Sequence, residues 1–168
     1  LTEHYESAFG PPLIGALMRA PVDAIRARML AGLHEAGFTD LVPAHFAVLR
    51  YPGPQNRRPS DCAADAAMTK QAMNYLLGQL EQLGYLTREE DPEDQRSKRI
   101  QLTERGNAAT QNMRQTVRQI EAEFEQEIGA EQFADLRRLL AQVNDATLVR
   151  EHRRSPVAVR GPADAPLR

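Results

Sequence analysis

The 168-residue chain has almost no cysteine: Cys62 stands alone, which excludes an intramolecular disulfide framework and any cysteine-rich zinc site. It also lacks an excess of charge of either sign. Lys and Arg total 21 against 23 for Asp and Glu, a formal net charge of -2. Neither a blanket basic coat nor an acidic solvating tail is present, so a polyanion would have to be met by a local patch. No apolar run approaches the ~18 residues of a membrane span and no signal-peptide pattern is found; no membrane partner is expected, and the expected location is cytoplasmic. His4, His34, His45 and His152 have no metal-ligand spacing, so no metal and no cofactor is expected. No nucleophile–base constellation or phosphate-cradling glycine loop occurs, and no enzyme activity is expected.

What is there is helical periodicity. Apolar residues recur over 13–34 at Ile14, Leu17, Met18, Val22, Ile25, Met29 and Leu33. Pro21 falls inside this run and predicts a kink or two consecutive helices, with a stop at Gly37. A short helix follows over 41–51, with Pro43 in its first turn, then a loop at Pro52-Gly53-Pro54. Residues 61–67 read as an alanine-rich helix. Over 69–83, Met73, Leu76, Leu77, Leu80 and Leu83 make one apolar stripe, while Gln71, Asn74, Tyr75, Gly78 and Gln82 make the opposite face. Thr69 is placed as N-cap and Gly84 as C-terminal stop.

Past Gly84 the period changes. Segments 85–89 and 98–102 read as strands around a polar loop over 90–97, a long-looped hairpin. Thr103 then opens a long helix with a narrow seam of Ala109, Met113, Val117, Ile120, Phe124 and Ile128, ended by Gly129. A last helix over 131–149 carries Phe133, Leu136, Leu139, Leu140 and Val143. From Arg153 onward Pro, Gly, Ala and Arg dominate without a period, the composition of a disordered tail.

The fold class predicted is mainly α with a small β-hairpin wing: a winged helix-turn-helix flanked by N- and C-terminal helices. The division expected is 1–40 for the N-terminal helix or helices, 41–103 for the winged region, 104–150 for the C-terminal helices and 151–168 for the tail. In such a fold the second helix of the pair enters a major groove, where base edges carry a distinguishable donor and acceptor pattern. Thr69, Lys70, Gln71, Asn74 and Tyr75 then face the DNA. Arg57, Arg58, Lys70, Arg96, Lys98 and Arg99 are expected on the same surface, with Ser60 at the start of the preceding helix. Between Arg57 and Arg105 eight basic residues meet nine acidic ones, so placement, not excess, would make that surface cationic. Cys62 is read as a small core residue; a redox role would need an exposed, acidified thiol.

The segments Met68-Thr69-Lys70-Gln71-Ala72-Met73, 80–86, Asp91-Pro92-Glu93-Asp94-Gln95-Arg96 and Ile100-Gln101-Leu102-Thr103-Glu104-Arg105-Gly106 together resemble the MarR family of winged helix-turn-helix transcriptional regulators. The resemblance runs over about 13–149. It implies that Asp94 braces the wing, that Arg96 reaches toward the minor groove, that the helices of 1–40 and 104–150 are N- and C-terminal dimerisation helices intertwined between two subunits, and that small-molecule effectors bind between dimerisation and DNA-binding regions. It implies no catalysis. Cys62 departs from the family's usual Leu. The function expected is a homodimeric, sequence-specific regulator of transcription that binds double-stranded DNA, a repressor by usual family outcome, whose affinity a small-molecule effector alters. The alternative is a winged-helix protein-interaction module, an antirepressor or adaptor without DNA binding. A third possibility is an oxidation sensor acting through Cys62.

Overall fold

A computed structural model describes residues 11–92, 94–147, 149 and 151, with the side chains of Gln95 and Arg96 left aside. The tail from residue 152 on, with His152, and also His4 and Glu93 lie outside the described residues. The element order is α1 (Ile14–Glu35), a 3-10 turn (Pro43–His45), α2 (Phe46–Leu49), α3 (Pro59–Asp65), α4 (Lys70–Gln82), β1 (Leu86–Asp91), β2 (Asp94–Leu102), α5 (Glu104–Ile128) and α6 (Ala130–Asn144). This is mainly α with a two-stranded antiparallel hairpin, the predicted class.

Three local expectations are decided or corrected. Of the two alternatives at Pro21, division into two consecutive helices is excluded: α1 runs unbroken through it. A proline removes one backbone donor, and the turns on either side keep theirs. The helix predicted over 41–51 is a 3-10 turn followed by one turn of α-helix. The loop predicted over 90–97 is mostly strand, because β1 extends to Asp91 and β2 begins at Asp94, with a register shift between Glu90 and Asp91. A run of acids reads as loop by composition, yet a solvated hairpin arm carries charge on its exposed face without penalty.

The core is formed where α4 lays its apolar stripe on the neighbouring elements. Met73, Leu76, Leu77 and Leu80 are buried with Leu33, Leu41, Phe46, Leu49, Cys62, Tyr85, Leu86, Ile100, Ala109 and Met113. Each leucine, isoleucine, methionine or phenylalanine among them contributes about 2 kcal/mol of hydrophobic stabilisation. The Thr69 hydroxyl accepts the Ala72 N–H at 3.1 Å, and the Thr103 hydroxyl accepts the Gly106 N–H at 3.1 Å. Both helices next to the wing are therefore capped as their sequences require.

Tyr85 ties three segments together at the root of the wing. Its ring is fully buried, its hydroxyl donates to Asp40 at 2.5 Å, and the Arg105 guanidinium lies 4.4 Å from its centroid. Arg105 also pairs with Asp40 at 2.9 Å and donates to the Leu83 carbonyl at 2.7 Å. Burial and the Asp40 carboxylate push the Tyr85 hydroxyl up to about 12. Burial would raise the Asp40 carboxyl, but the Tyr85 hydrogen bond and Arg105 outweigh it and hold it low. The end of α4, the first turn of α5 and the linker after α1 are thus fixed to one another.

Candidate nucleic-acid interface

α3 and α4 are joined by a tight turn in which Ala67 adopts a left-handed φ of 52°, and the two helices pack on each other. The outer face of α4 is the polar one: Gln71, Asn74, Tyr75 and Gln82 are exposed, while its leucines are buried. The wing follows directly. Its β2 strand also receives the loop before α3, since the Asn56 N–H donates to the Ile100 carbonyl at 2.7 Å and the Ile100 N–H donates to the Arg57 carbonyl at 2.9 Å. That pairing fixes Arg57 and Arg58 against the hairpin.

Between α3, α4 and the wing lies a cleft of about 370 Å³ lined by Arg58, Pro59, Ser60, Lys70, Asn74, Arg88, Ser97 and Lys98. Four of these eight residues are cationic and none is acidic. In a chain of net charge -2, this is the local patch that a polyanion needs. Five of the expected residues, Arg58, Ser60, Lys70, Asn74 and Lys98, meet here. Gln71 and Tyr75 lie on the adjoining exposed face of α4, outside the lining. Thr69 uses its hydroxyl as the cap. Arg57 pairs with Asp65 at 2.8 Å. For Arg96 the backbone lies in β2 and the side chain is outside the described set.

Two lining residues, Arg88 and Ser97, escaped the sequence reading. Arg88 sits opposite Ile100 in the sheet register, the inward-facing parity shared with Leu86, and strand period alone marks it as a half-buried cation. It pairs with Glu81 of α4 at 2.5 Å, joining the wing to α4. The third omission is Asp91. This carboxylate has no solvent exposure. It accepts from Arg58 Nε at 2.9 Å and from the Ser97 hydroxyl at 3.2 Å, and it pairs with Arg99 at 2.9 Å. The structure therefore places a brace at Asp91, three positions before the expected Asp94. Asp94 is half-buried, faces Asp91 across the hairpin and accepts the Ser97 hydroxyl on its carbonyl at 3.1 Å. Nothing in a run of acids distinguishes Asp91, because its partners come from Arg58 and Arg99. Cys62 is buried, and burial pushes its thiol up, away from the acidified state that redox sensing uses.

A second, larger cleft of about 890 Å³ opens between α1, the segment after α2 and α5. Its apolar floor includes Met29, Leu49 and Met113, and its rim carries Arg50, Arg114 and Arg118 without any acidic residue. Among the described residues no cluster of His, Cys, Asp and Glu could hold a metal ion, and no helix is long and apolar enough to cross a membrane.

A helix-turn-helix whose second helix leads into a hairpin, with a further strand-like pairing from the preceding loop, defines a winged helix-turn-helix protein. The sequence model of the MarR family matches residues 39–97, the span from the linker after α1 to the wing. Among solved structures, the chain is 27% identical to the Mycobacterium tuberculosis MarR family protein Rv2887 in complex with salicylic acid, with a TM-score of 0.59 over 80% of this chain and 98% of that one. It is 23% identical to the transcriptional repressor CouR bound to a 23-mer DNA duplex, with a TM-score of 0.62 over 78% and 92% of the two chains. CouR from Rhodococcus jostii bound to p-coumaroyl-CoA gives 21% identity and a TM-score of 0.61 over 77% and 90%. No curated protein sequence matches the chain.

Proposed function

We propose that the chain is a homodimeric, sequence-specific DNA-binding regulator of transcription, acting as a repressor whose DNA affinity is altered by a small-molecule effector. The observation that carries this reading is the acid-free cationic cleft beside the exposed polar face of α4. Phosphates need cations and backbone donors, whereas base edges need side chains with paired donors and acceptors. Arg57, Arg58, Lys70 and Lys98 supply the first, with Ser60, Arg88 and Ser97 around them. Gln71, Asn74 and Tyr75 supply the second from α4, whose start is fixed by Thr69. Arg96 reaches the minor groove from the wing, Asp94 braces that hairpin beside Asp91, and Arg99 holds its base. CouR and Rv2887 support the two halves of the reading, one having been solved with duplex DNA and the other with salicylic acid.

Residues 1–40 and 104–150 serve dimerisation and 41–103 the DNA. The effector occupies the larger cleft, where Arg50, Arg114 and Arg118 favour an anion and the apolar floor favours a hydrophobic body. An effector that prefers a dimer with the wrong spacing of the two α4 helices lowers DNA affinity by its differential binding.

The test is selection of duplexes from random-sequence DNA, followed by affinity measurements at several salt concentrations. Lys70→Ala is expected to lower the slope of log affinity against log salt by about one unit per subunit. A protein that enriches no duplex, or an unchanged slope for Lys70→Ala with intact binding, would point respectively to a protein-interaction module or to a merely solvated Lys70.

A further inference from the structure

The cleft between α3, α4 and the wing holds two kinds of cation. Lys70 and Lys98 are exposed and make no ion pair among the described residues. Arg58 and Arg88 are each held by a carboxylate, and in the same way. Arg58 places Nε 2.9 Å and Nη2 2.8 Å from Asp91 Oδ2. Arg88 donates to Glu81 Oε2 from Nε at 3.0 Å and from Nη2 at 2.5 Å.

A guanidinium has two edges that offer a pair of parallel N–H groups. The side edge is Nε–H with one Nη2–H, and the end edge is Nη1–H with the other Nη2–H. In both arginines the acid takes the side edge, and Nη1 makes no hydrogen bond among the described residues. Both arginines line the cleft and neither acid does. The end edge is left whole, so a phosphate in the cleft can take it without displacing the acid. The two acids differ in their surroundings. Asp91 is fully buried and also pairs with Arg99, whereas the Glu81 side chain is 37% exposed and pairs, among the described residues, with Arg88 alone.

We infer that Glu81 is a positioning residue for phosphate: it fixes Arg88 by the side edge so that the end edge meets the DNA backbone, as Asp91 does for Arg58. The inference rests on the DNA-binding reading above. The gain lies in order more than in charge. A free arginine gives up rotamer freedom when it grips a phosphate, whereas Arg88 has given it up on folding. The carboxylate cancels much of the guanidinium's field at a distance, so the grip acts at contact, through a fork of two charge-assisted hydrogen bonds.

Glu90 offers the contrast. It stands opposite Lys98 in the register, on the strand face that carries Arg88. It is exposed and holds no cation among the described residues. Removing either acid changes the charge equally, but only the loss of Glu81 sets an arginine loose.

The experiment measures affinity for a duplex selected by the wild type, at two salt concentrations, with the urea midpoint of each variant alongside. Glu90→Gln is expected to bind at least as tightly as the wild type. Glu81→Gln is expected to bind about tenfold more weakly, since one arginine in each subunit is released. That deficit should persist at the higher salt, where a charge effect would fade. Arg88→Lys separates positioning from a simple tether between the wing and α4. Lysine can pair with Glu81 but has no second edge, so the urea midpoint is expected to hold while affinity falls about tenfold. The inference is overturned by a Glu81→Gln variant that binds as tightly as the wild type, or by an Arg88→Lys variant that keeps affinity together with the midpoint.

Should Glu81→Gln fail to fold, the Arg88 Nε–H signal in NMR of the wild type decides. With duplex bound it must persist, because the acid stays in place; its loss means that phosphate displaces Glu81, which overturns the inference. A wild type that selects no duplex defeats the DNA-binding reading. Inorganic pyrophosphate, titrated at constant ionic strength, is then the probe of the cleft. A saturable shift of the Arg88 Nε–H signal supports the role of Glu81 in phosphate binding, and a signal that does not respond overturns it.

Discussion

Asp91 shows how one side chain sets the state of several others. Its carboxylate is fully buried and holds Arg58 and Arg99, whose side chains remain 38% and 22% exposed. The attraction is strong in that setting, yet the arginines keep partial access to water, which limits what removing the acid costs. Asp91→Asn is therefore expected to destabilise the protein by about 2 kcal/mol, read as a lower urea midpoint at unchanged slope. It should also weaken DNA binding, although it makes the chain less negative, because Arg58 would no longer be aimed along the cleft. A gain in affinity would mean that net charge outweighs placement. Asp94→Asn, made in parallel, separates the two candidate braces: a larger loss there than at Asp91 would return the bracing role to Asp94.

At the scale of elements, the wing and α5 are joined by a close approach that only glycine permits. A Cβ on Gly106 would lie 1.9 Å from the Tyr85 carbonyl oxygen, a backbone atom that cannot turn aside. Gly106→Ala is expected to cost about 3 kcal/mol, measured by chemical denaturation. A cost below about 1 kcal/mol would show that the first turn of α5 can shift away from the wing root. In the sequence this glycine is legible only as part of a motif, since its reason lies in Tyr85, far back along the chain. The same division holds elsewhere. The α4 stripe, the caps Thr69 and Thr103, and the stop at Gly129 were readable because each is set by neighbours within a turn or two. The extent of β1 and β2, the continuity of α1 through Pro21, and the hub at Asp91 were not, because pairing partners and packing surfaces decide them. The candidate site follows suit: Lys70 and Asn74 were found from helix period, whereas Arg88 and Ser97 join the cleft only through the strand register.

The whole molecule leaves apolar surface at both ends that a single chain does not cover. Leu13, Ile14, Leu17, Met18 and Val22 are exposed on and just before the first half of α1, and Leu136, Leu139, Leu140 and Val143 on α6, with Ile128 at the end of α5. No residue of α6 is buried, although its leucines recur at helical spacing, and an amphipathic helix with an uncovered stripe calls for a partner surface. A second copy supplies one by symmetry, which the homodimer proposal requires and which would bring two α4 helices to one duplex. Leu139 is 49% exposed in the single chain, so Leu139→Glu should leave the fold of each subunit intact by far-UV circular dichroism. In a two-fold interface the change counts twice. At about 2 kcal/mol for each buried leucine, the dimer should be weakened by about three orders of magnitude, and a sedimentation experiment at micromolar concentration should find monomer. DNA affinity should fall with it, because a lone subunit keeps the cleft but loses the second set of contacts. An unaltered dimer mass would place the interface away from α6. Intact DNA binding by a monomer would mean that one winged lobe suffices for recognition.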